Sequence, residues 1–153
     1  MSLTIFSDEH FMTEALKEAE IALTNGEIPV GAIVVWKNRI IARAHHQTEK
    51  LSDSTAHAEM IALTSSFNYA GAKYLPECTL YITLEPCVMC AGATYWAQLN
   101  KIVYGASDPK RGYSLISDNI THPKTQIVKG IMADECRNLI DHFFKEIRRK
   151  NKK

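Results

Sequence analysis

The stretch CTLYITLEPCVMC, residues 78 to 90, runs a β-branched, largely apolar strand pattern straight into a proline and two cysteines three positions apart. If the strand ends at Leu84 and Glu85-Pro86 turns the chain, Cys87 and Cys90 fall on the first turn of a helix and on one face of it, so both sulfurs can reach one ion. Exposed N–H groups at that helix end favour the thiolate a metal requires. Two thiolates are an incomplete set, because zinc in a catalytic site typically takes three protein ligands and keeps a fourth position open. TAHAEMIALT, residues 55 to 64, supplies a third ligand in His57, at the front of an apolar helix 30 positions upstream (57 to 87). His57 can join the cysteines only if the two helix starts lie side by side, as happens where parallel strands deliver their following helices to one edge of a sheet. No other feature of the chain restricts the fold as tightly.

The remaining pattern agrees with that demand. Apolar positions from Phe11 to Leu23 recur at helical spacing over residues 8 to 25, with Ser7 or Asp8 placed to cap the start and Gly26 to stop it. VGAIVVW (30 to 36) and IIARAHH (40 to 46) flank the polar turn Lys37-Asn38 and predict a β-hairpin. A polar stretch leads into the His57 helix, strand 78 to 84 follows, and VMCAGATYWAQL (88 to 99) predicts the third helix. KIVYGA (101 to 106) reads as a strand, residues 107 to 124 as loop, and TQIVKGI (125 to 131) as a fifth short strand. The final helix carries Cys136, Leu139, Ile140, Phe143, Phe144 and Ile147 on one face. A hairpin followed by strands alternating with helices implies an α/β fold of three layers, α/β/α, around a five-stranded mixed sheet. At 153 residues a single domain spanning 1 to 153 is the economical organisation.

Composition narrows the setting. No apolar run approaches the roughly 20 residues of a membrane span, and MSLTIFSDEH lacks the basic start and apolar block of a secretory signal, so no membrane partner and a cytoplasmic location are expected. Cys78 and Cys136 sit in strand-like and helix-like runs and are expected to be buried small hydrophobes. The last nine residues, Lys145 to Lys153, sum to +5 in a chain of net charge +1, leaving −4 for residues 1 to 144. That tail reads either as a solvated helix end suited to the helix dipole or as a patch for a polyanion such as a phosphate backbone.

Taken singly, His-x-Glu most often marks a helix start and a surface carboxylate, and Pro-Cys-x-x-Cys divides between metal or redox use and packing. In this order and at this separation they form the H-x-E…P-C-x-x-C signature of zinc nucleobase deaminases. In such a site His57, Cys87 and Cys90 hold the ion, whose bound water acquires a pKa near about 7. Glu59 is left free to take a proton from water, pass it to a ring nitrogen and help ammonia depart. A non-catalytic zinc-stabilised binding module would keep the three ligands but leave Glu59 without a task, and would need a fourth ligand from residues such as His45, His46 or Cys78.

Beyond these motifs the chain resembles the bacterial tRNA-specific adenosine deaminases of the cytidine deaminase-like superfamily, through EIPVGAIVV (27 to 35), STAHAEMIAL (54 to 63), TLYITLEPCVMCAGA (79 to 93), IVYGASDPKRG (102 to 112), GIMADEC (130 to 136) and FFKEIRR (143 to 149). The zinc motifs carry the superfamily, and Asp108 to Gly112 with the FFKEIRR ending carry the narrower likeness. The resemblance implies a cytidine deaminase-like fold, hydrolytic conversion of adenosine to inosine at the wobble position of a tRNA anticodon loop, and a homodimer with one Zn2+ per subunit. It implies that Val30 lines the base pocket and that Asp108 contacts nucleotides beside the flipped adenosine. It also makes Lys110, Arg111, Lys145, Arg148 and Arg149 candidate RNA contacts, phosphates serving to position while the pocket specifies. Two stretches depart from that family. His46 stands where an asparagine usually hydrogen-bonds the base, and Tyr95-Trp96-Ala97 stands where a Ser-Arg-Ile is common and is similar to the bacterial guanine deaminases. Deamination of guanine or cytosine as free base or nucleoside is therefore the alternative expectation.

Overall fold

The computed structural model describes residues 5–152; Met1 to Thr4 of the opening stretch and Lys153 of the basic tail lie outside the described residues. Its elements follow in the order α1 (Asp8–Thr24), β1 (Gly31–Trp36), β2 (Arg39–His45), α2 (Ala58–Ala70), β3 (Cys78–Leu84), α3 (Val88–Ala97), β4 (Lys101–Ala106), β5 (Gln126–Lys129) and α4 (Ala133–Asn151). Ser7 caps α1 by accepting from the His10 amide, at 3.1 Å. Lys37 and Asn38 both take positive φ (51° and 62°), the requirement of a two-residue turn whose twist matches the flanking strands, so the hairpin forms where the sequence places it.

The five strands lie in the order β2-β1-β3-β4-β5. β1 is antiparallel to both β2 and β3, whereas β3, β4 and β5 are parallel. β2 and β3 therefore run in the same direction, one strand apart, and release α2 and α3 at the same sheet edge. Because β1 runs the opposite way, its start at Val30 and Gly31 lies at that edge too.

Alternation along β1 divides the core between two faces. Ala32 and Val34 pack with Ala58 and Ala62 of α2, Ala91 of α3 and Leu80 and Ile82 of β3. Ile33 and Val35 face the other way, onto Phe11, Met12, Ala15 and Leu16 of α1 and Cys136 of α4. Helices thus cover both faces of a mixed sheet, as expected, and a side chain such as Ile33, Leu80 or Ile82, sealed from solvent, contributes about 1.5–3 kcal/mol by its burial. The α1 layer approaches β1 so closely that a Cβ on Gly31 would run into the backbone of Ala15 and Ala19. Cys78 and Cys136 are buried and unpaired. Among the described residues no helix is long and apolar enough to cross a membrane.

Candidate active site

Both ligand-bearing helices begin on a ligand. His57 is the N-cap of α2 and Cys87 the N-cap of α3, each in extended conformation with no side-chain cap bond, one residue earlier than a first-turn placement. An N-cap side chain normally turns back onto the helix amides; leaving both uncapped frees the imidazole and the thiol to face one another. His57 Nδ1 lies 3.7 Å from Cys87 Sγ and 3.5 Å from Cys90 Sγ, and the three ligand atoms all fall within 4.8 Å of one another. Zinc bonded tetrahedrally to sulfur at about 2.3 Å and nitrogen at about 2.05 Å sets a sulfur–nitrogen edge of roughly 3.6 Å, which the two observed separations bracket. Among the described residues no fourth metal ligand joins the group: His45 and Cys78 are not part of it, and His46, although beside His57, has its Nδ1 engaged by the Ala58 amide.

The electrostatics match the chemistry of such a donor set. Cys87 is pushed down to about 4, first because the Cys90 thiol donates to it and then through His57. Cys90, with that thiolate beside it, is pushed well up. His57 is raised by its hydrogen bond to Cys87, with Glu59 and the Ser54 backbone adding to it. Glu59, in the first turn of α2, is 3% exposed, and its Oε1 is buried with no hydrogen-bond partner among the described residues. Burial pushes its carboxyl up to about 7, with the negative Cys87 adding to the shift. A buried acceptor left without a partner costs about 1–3 kcal/mol, so this oxygen is where the fold reserves a place for something it does not itself supply.

His46, one residue past β2, donates its amide to the Val30 carbonyl at 3.1 Å. Its Nδ1 accepts from the Ala58 amide at 3.3 Å, which caps α2 from outside the helix and leaves the proton of a neutral ring on Nε2. Burial pushes His46 down to about 4, helped by the neighbouring His57.

A cavity of about 670 Å³ opens over these groups, with Val30, His46, His57, Glu59 and Cys87 in its floor. Asp108, Lys110, Arg111 and Arg148 form its wall. The volume suits a nucleobase with its sugar. Lys145 and Arg149 do not line it; Arg149 instead pairs with Glu146 at 2.9 Å in an exposed position. Tyr95 and Trp96 do not line it either, and stand 40% and 73% exposed, so within this chain they lie outside the cavity.

Sequence reasoning passed over several wall residues. Arg137, Asp141 and Phe144 line the cavity beside Arg148, and the spacing 137, 141, 144, 148 is one face of a helix, a stripe legible in α4 but masked by its apolar neighbours. Glu85, in the turn after β3, has a further role: its carboxylate accepts from the Asp108 amide at 3.1 Å and from the Ser114 amide and hydroxyl at 3.0 and 2.7 Å.

The family model for the cytidine and deoxycytidylate deaminase zinc-binding region matches residues 6–106. The tRNA-specific adenosine deaminase of Bacillus subtilis (strain 168) is 42% identical over 150 residues, covering 95% of this chain and 93% of that protein. A solved chain from work on A-to-I editing by tRNA:A34 deaminases at the wobble position of transfer RNA superposes with a TM-score of 0.79 at 37% identity, over 85% of this chain and 98% of that one. The guanine deaminase of Bacillus subtilis superposes less fully, with a TM-score of 0.65 at 34% identity over 76% of this chain and 78% of that one.

Proposed function

The chain belongs to the tRNA-specific adenosine deaminase family, within the zinc-binding cytidine and deoxycytidylate deaminases, and from that premise we propose that it hydrolyses adenosine to inosine and ammonia at the wobble position of a tRNA anticodon. The observation that carries the reading is the unpartnered Oε1 of Glu59, buried beside His57, Cys87 and Cys90 at the floor of the cavity. Zinc held by those three side chains supplies a Lewis acid and water activated at neutral pH.

The protein's own residues do the rest. Glu59 Oε1 takes a proton from the attacking water and delivers it to the purine ring nitrogen adjacent to the amine-bearing carbon. It then takes the remaining proton from the hydroxyl added to that carbon and passes it to the amine, which leaves as ammonia as the carbonyl forms; a carboxyl poised near neutrality can move protons both ways. Val30 packs against the base, and His46 Nε2–H donates to an acceptor on it. Asp108 contacts the neighbouring nucleotides, while Lys110, Arg111 and Arg148 meet phosphates. An anticodon-loop nucleotide is already free of pairing, so turning it into the cavity costs little.

The remaining parts of the reading follow from the substrate and the surface. A cytoplasmic location goes with tRNA, and residues 1 to 153 act as one deaminase domain. A homodimer would cover the apolar face that α3 exposes through Val88, Tyr95 and Trp96. Guanine is the second reading, favoured by the likeness to the Bacillus subtilis guanine deaminase but receiving nothing from Tyr95 and Trp96 inside the cavity. Incubation with an anticodon stem-loop bearing adenosine at the wobble position, alongside free guanine, cytosine and adenosine, separates them: inosine in the RNA is expected. Ammonia from guanine with no inosine in any tRNA would replace the proposal.

A further inference from the structure

Glu85 is 4% exposed, and among the described residues it forms no ion pair. A buried carboxylate without a cation is retained only when hydrogen bonds replace its hydration. Every side-chain bond it receives comes from one segment. Oε1 accepts from the amide at the start of that segment, Asp108, and Oε2 accepts twice at its end, from the Ser114 amide and hydroxyl. Between them, Gly112 packs its Cα against the carboxylate, where a Cβ would sit 2.5 Å from either oxygen. Gly112 also bridges to Cys87, and the Tyr113 amide donates to the Pro86 carbonyl at 2.9 Å. The segment closed in this way holds Asp108, Lys110 and Arg111 in the cavity wall.

From this arrangement we infer that Glu85 is a positioning residue that clasps the 108–114 loop onto the Pro86-Cys87 end of the metal-ligand helix, and so sets the distance between the nucleotide-contacting wall and the catalytic floor. A carboxylate is required because its two oxygens must accept at both ends of the loop at once. Glutamine keeps the shape but presents an N–H2 to one of those donors. Glu85 is next to Pro86 in sequence but makes no bond to His57, Cys87 or Cys90 through its side chain, so its loss should loosen the loop and spare the ion.

The inference rests on the cavity being the substrate site, and its test has one readout that needs no activity. Lys110 and Arg111 are exposed within the loop, so trypsin reports on loop opening. In the zinc-loaded protein, Glu85→Gln should retain one metal per chain while cleavage after Arg111 accelerates at least tenfold. With the anticodon stem-loop, kcat/KM should fall by roughly tenfold to a hundredfold, mostly through KM, as expected when wall contacts shared by ground state and transition state are lost. Ser114→Ala, which removes only the hydroxyl donor, should give a smaller effect of the same kind, and the double variant should add nothing to Glu85→Gln. If Glu85→Gln does not fold, the Ser114→Ala shift in loop cleavage and KM decides the matter. Unchanged loop protection and KM, or loss of metal from Glu85→Gln, would overturn the inference. A wild-type protein that makes no inosine while the proteolysis result holds would count against the substrate and not against the clasp.

Discussion

The imidazole of His46 lies stacked on that of His57, with ring centroids 4.6 Å apart and planes 27° from parallel. The ring that lines the cavity floor thus also braces His57 and, through Nδ1, the start of the helix that carries Glu59. Asparagine could replace the hydrogen bonds without the stacking, its carbonyl accepting from Ala58 and its amide donating to a base, whereas leucine could do neither. His46→Asn should keep kcat/KM for the anticodon stem-loop within about fivefold, and His46→Leu should lose roughly tenfold to a hundredfold, both read from inosine formation. Equal activity in the two variants would remove His46 from base binding.

The burial of His46 also predicts a pH dependence of stability. Its folded-state pKa of about 4 lies below the ordinary 6.5, so between those values the unfolded chain binds the extra proton and stability falls as the solution is acidified. The loss begins near pH 6.5, is complete near pH 4 and amounts to roughly 3 kcal/mol at most. Thermal melts of wild type and His46→Asn across that window measure it: the gap between them should move in favour of the variant as pH drops, and a constant gap would refute the assignment.

Glu59 and Cys90 should separate catalysis from metal retention. Glu59→Gln keeps the side chain's shape but removes the buried group that can take up and release a proton, so the variant should bind zinc normally and melt no lower than wild type while turnover falls by about 10²–10⁴. Cys90→Ala should lose both metal and turnover. Metal content by elemental analysis beside inosine yield distinguishes them; an active Glu59→Gln protein would end the proton-transfer role given above.

Metal uptake should depend on acid in a direction set by the cysteines. Cys87 is ionised over most of the useful range because its pKa is pushed down to about 4, whereas Cys90 is pushed well up and must lose its proton to solvent when the ion binds. Zinc binding therefore releases protons and weakens as pH falls. A chelator should strip the metal faster at pH 5.5 than at pH 8, the stripped protein should melt lower, and added zinc should restore both melt and activity. Chelation that proceeds equally at both pH values would contradict a thiol–thiolate pair.

What could be foreseen in the chain was what its local spacing controls. Cys87 and Cys90 share a helical face by covalent spacing, and the hairpin turn at Lys37-Asn38 is decided by two residues. The mixed sheet then follows from the need to bring His57 beside them. Glu85 was opaque for the opposite reason: its partners lie 23 and 29 residues onward in a loop with no periodicity. The basic tail was only half legible, because charge alone does not say which of several neighbouring arginines turns inward. The exposure of Tyr95 and Trp96 likewise depends on what packs against α3, and likeness to another family's motif carries no information about that.

The α4 stripe turns that half-legible tail into a discriminating experiment. Arg148 shares the cavity-facing side of the helix with Arg137, Asp141 and Phe144, while Arg149 is rotated away and already paired with Glu146. If Arg148 meets a phosphate of the anticodon loop, Arg148→Ala should weaken RNA binding several-fold and flatten the plot of log affinity against log salt by about 0.7, the contribution of one single-strand phosphate contact. Arg149→Ala, which removes the same formal charge one residue later, should change affinity less than twofold with the slope intact. Filter binding of the stem-loop from low to moderate salt gives both numbers. Identical losses from the two substitutions would mean that the tail acts as diffuse positive charge, in which case the wall built by Lys110 and Arg111, and not α4, would have to orient the RNA.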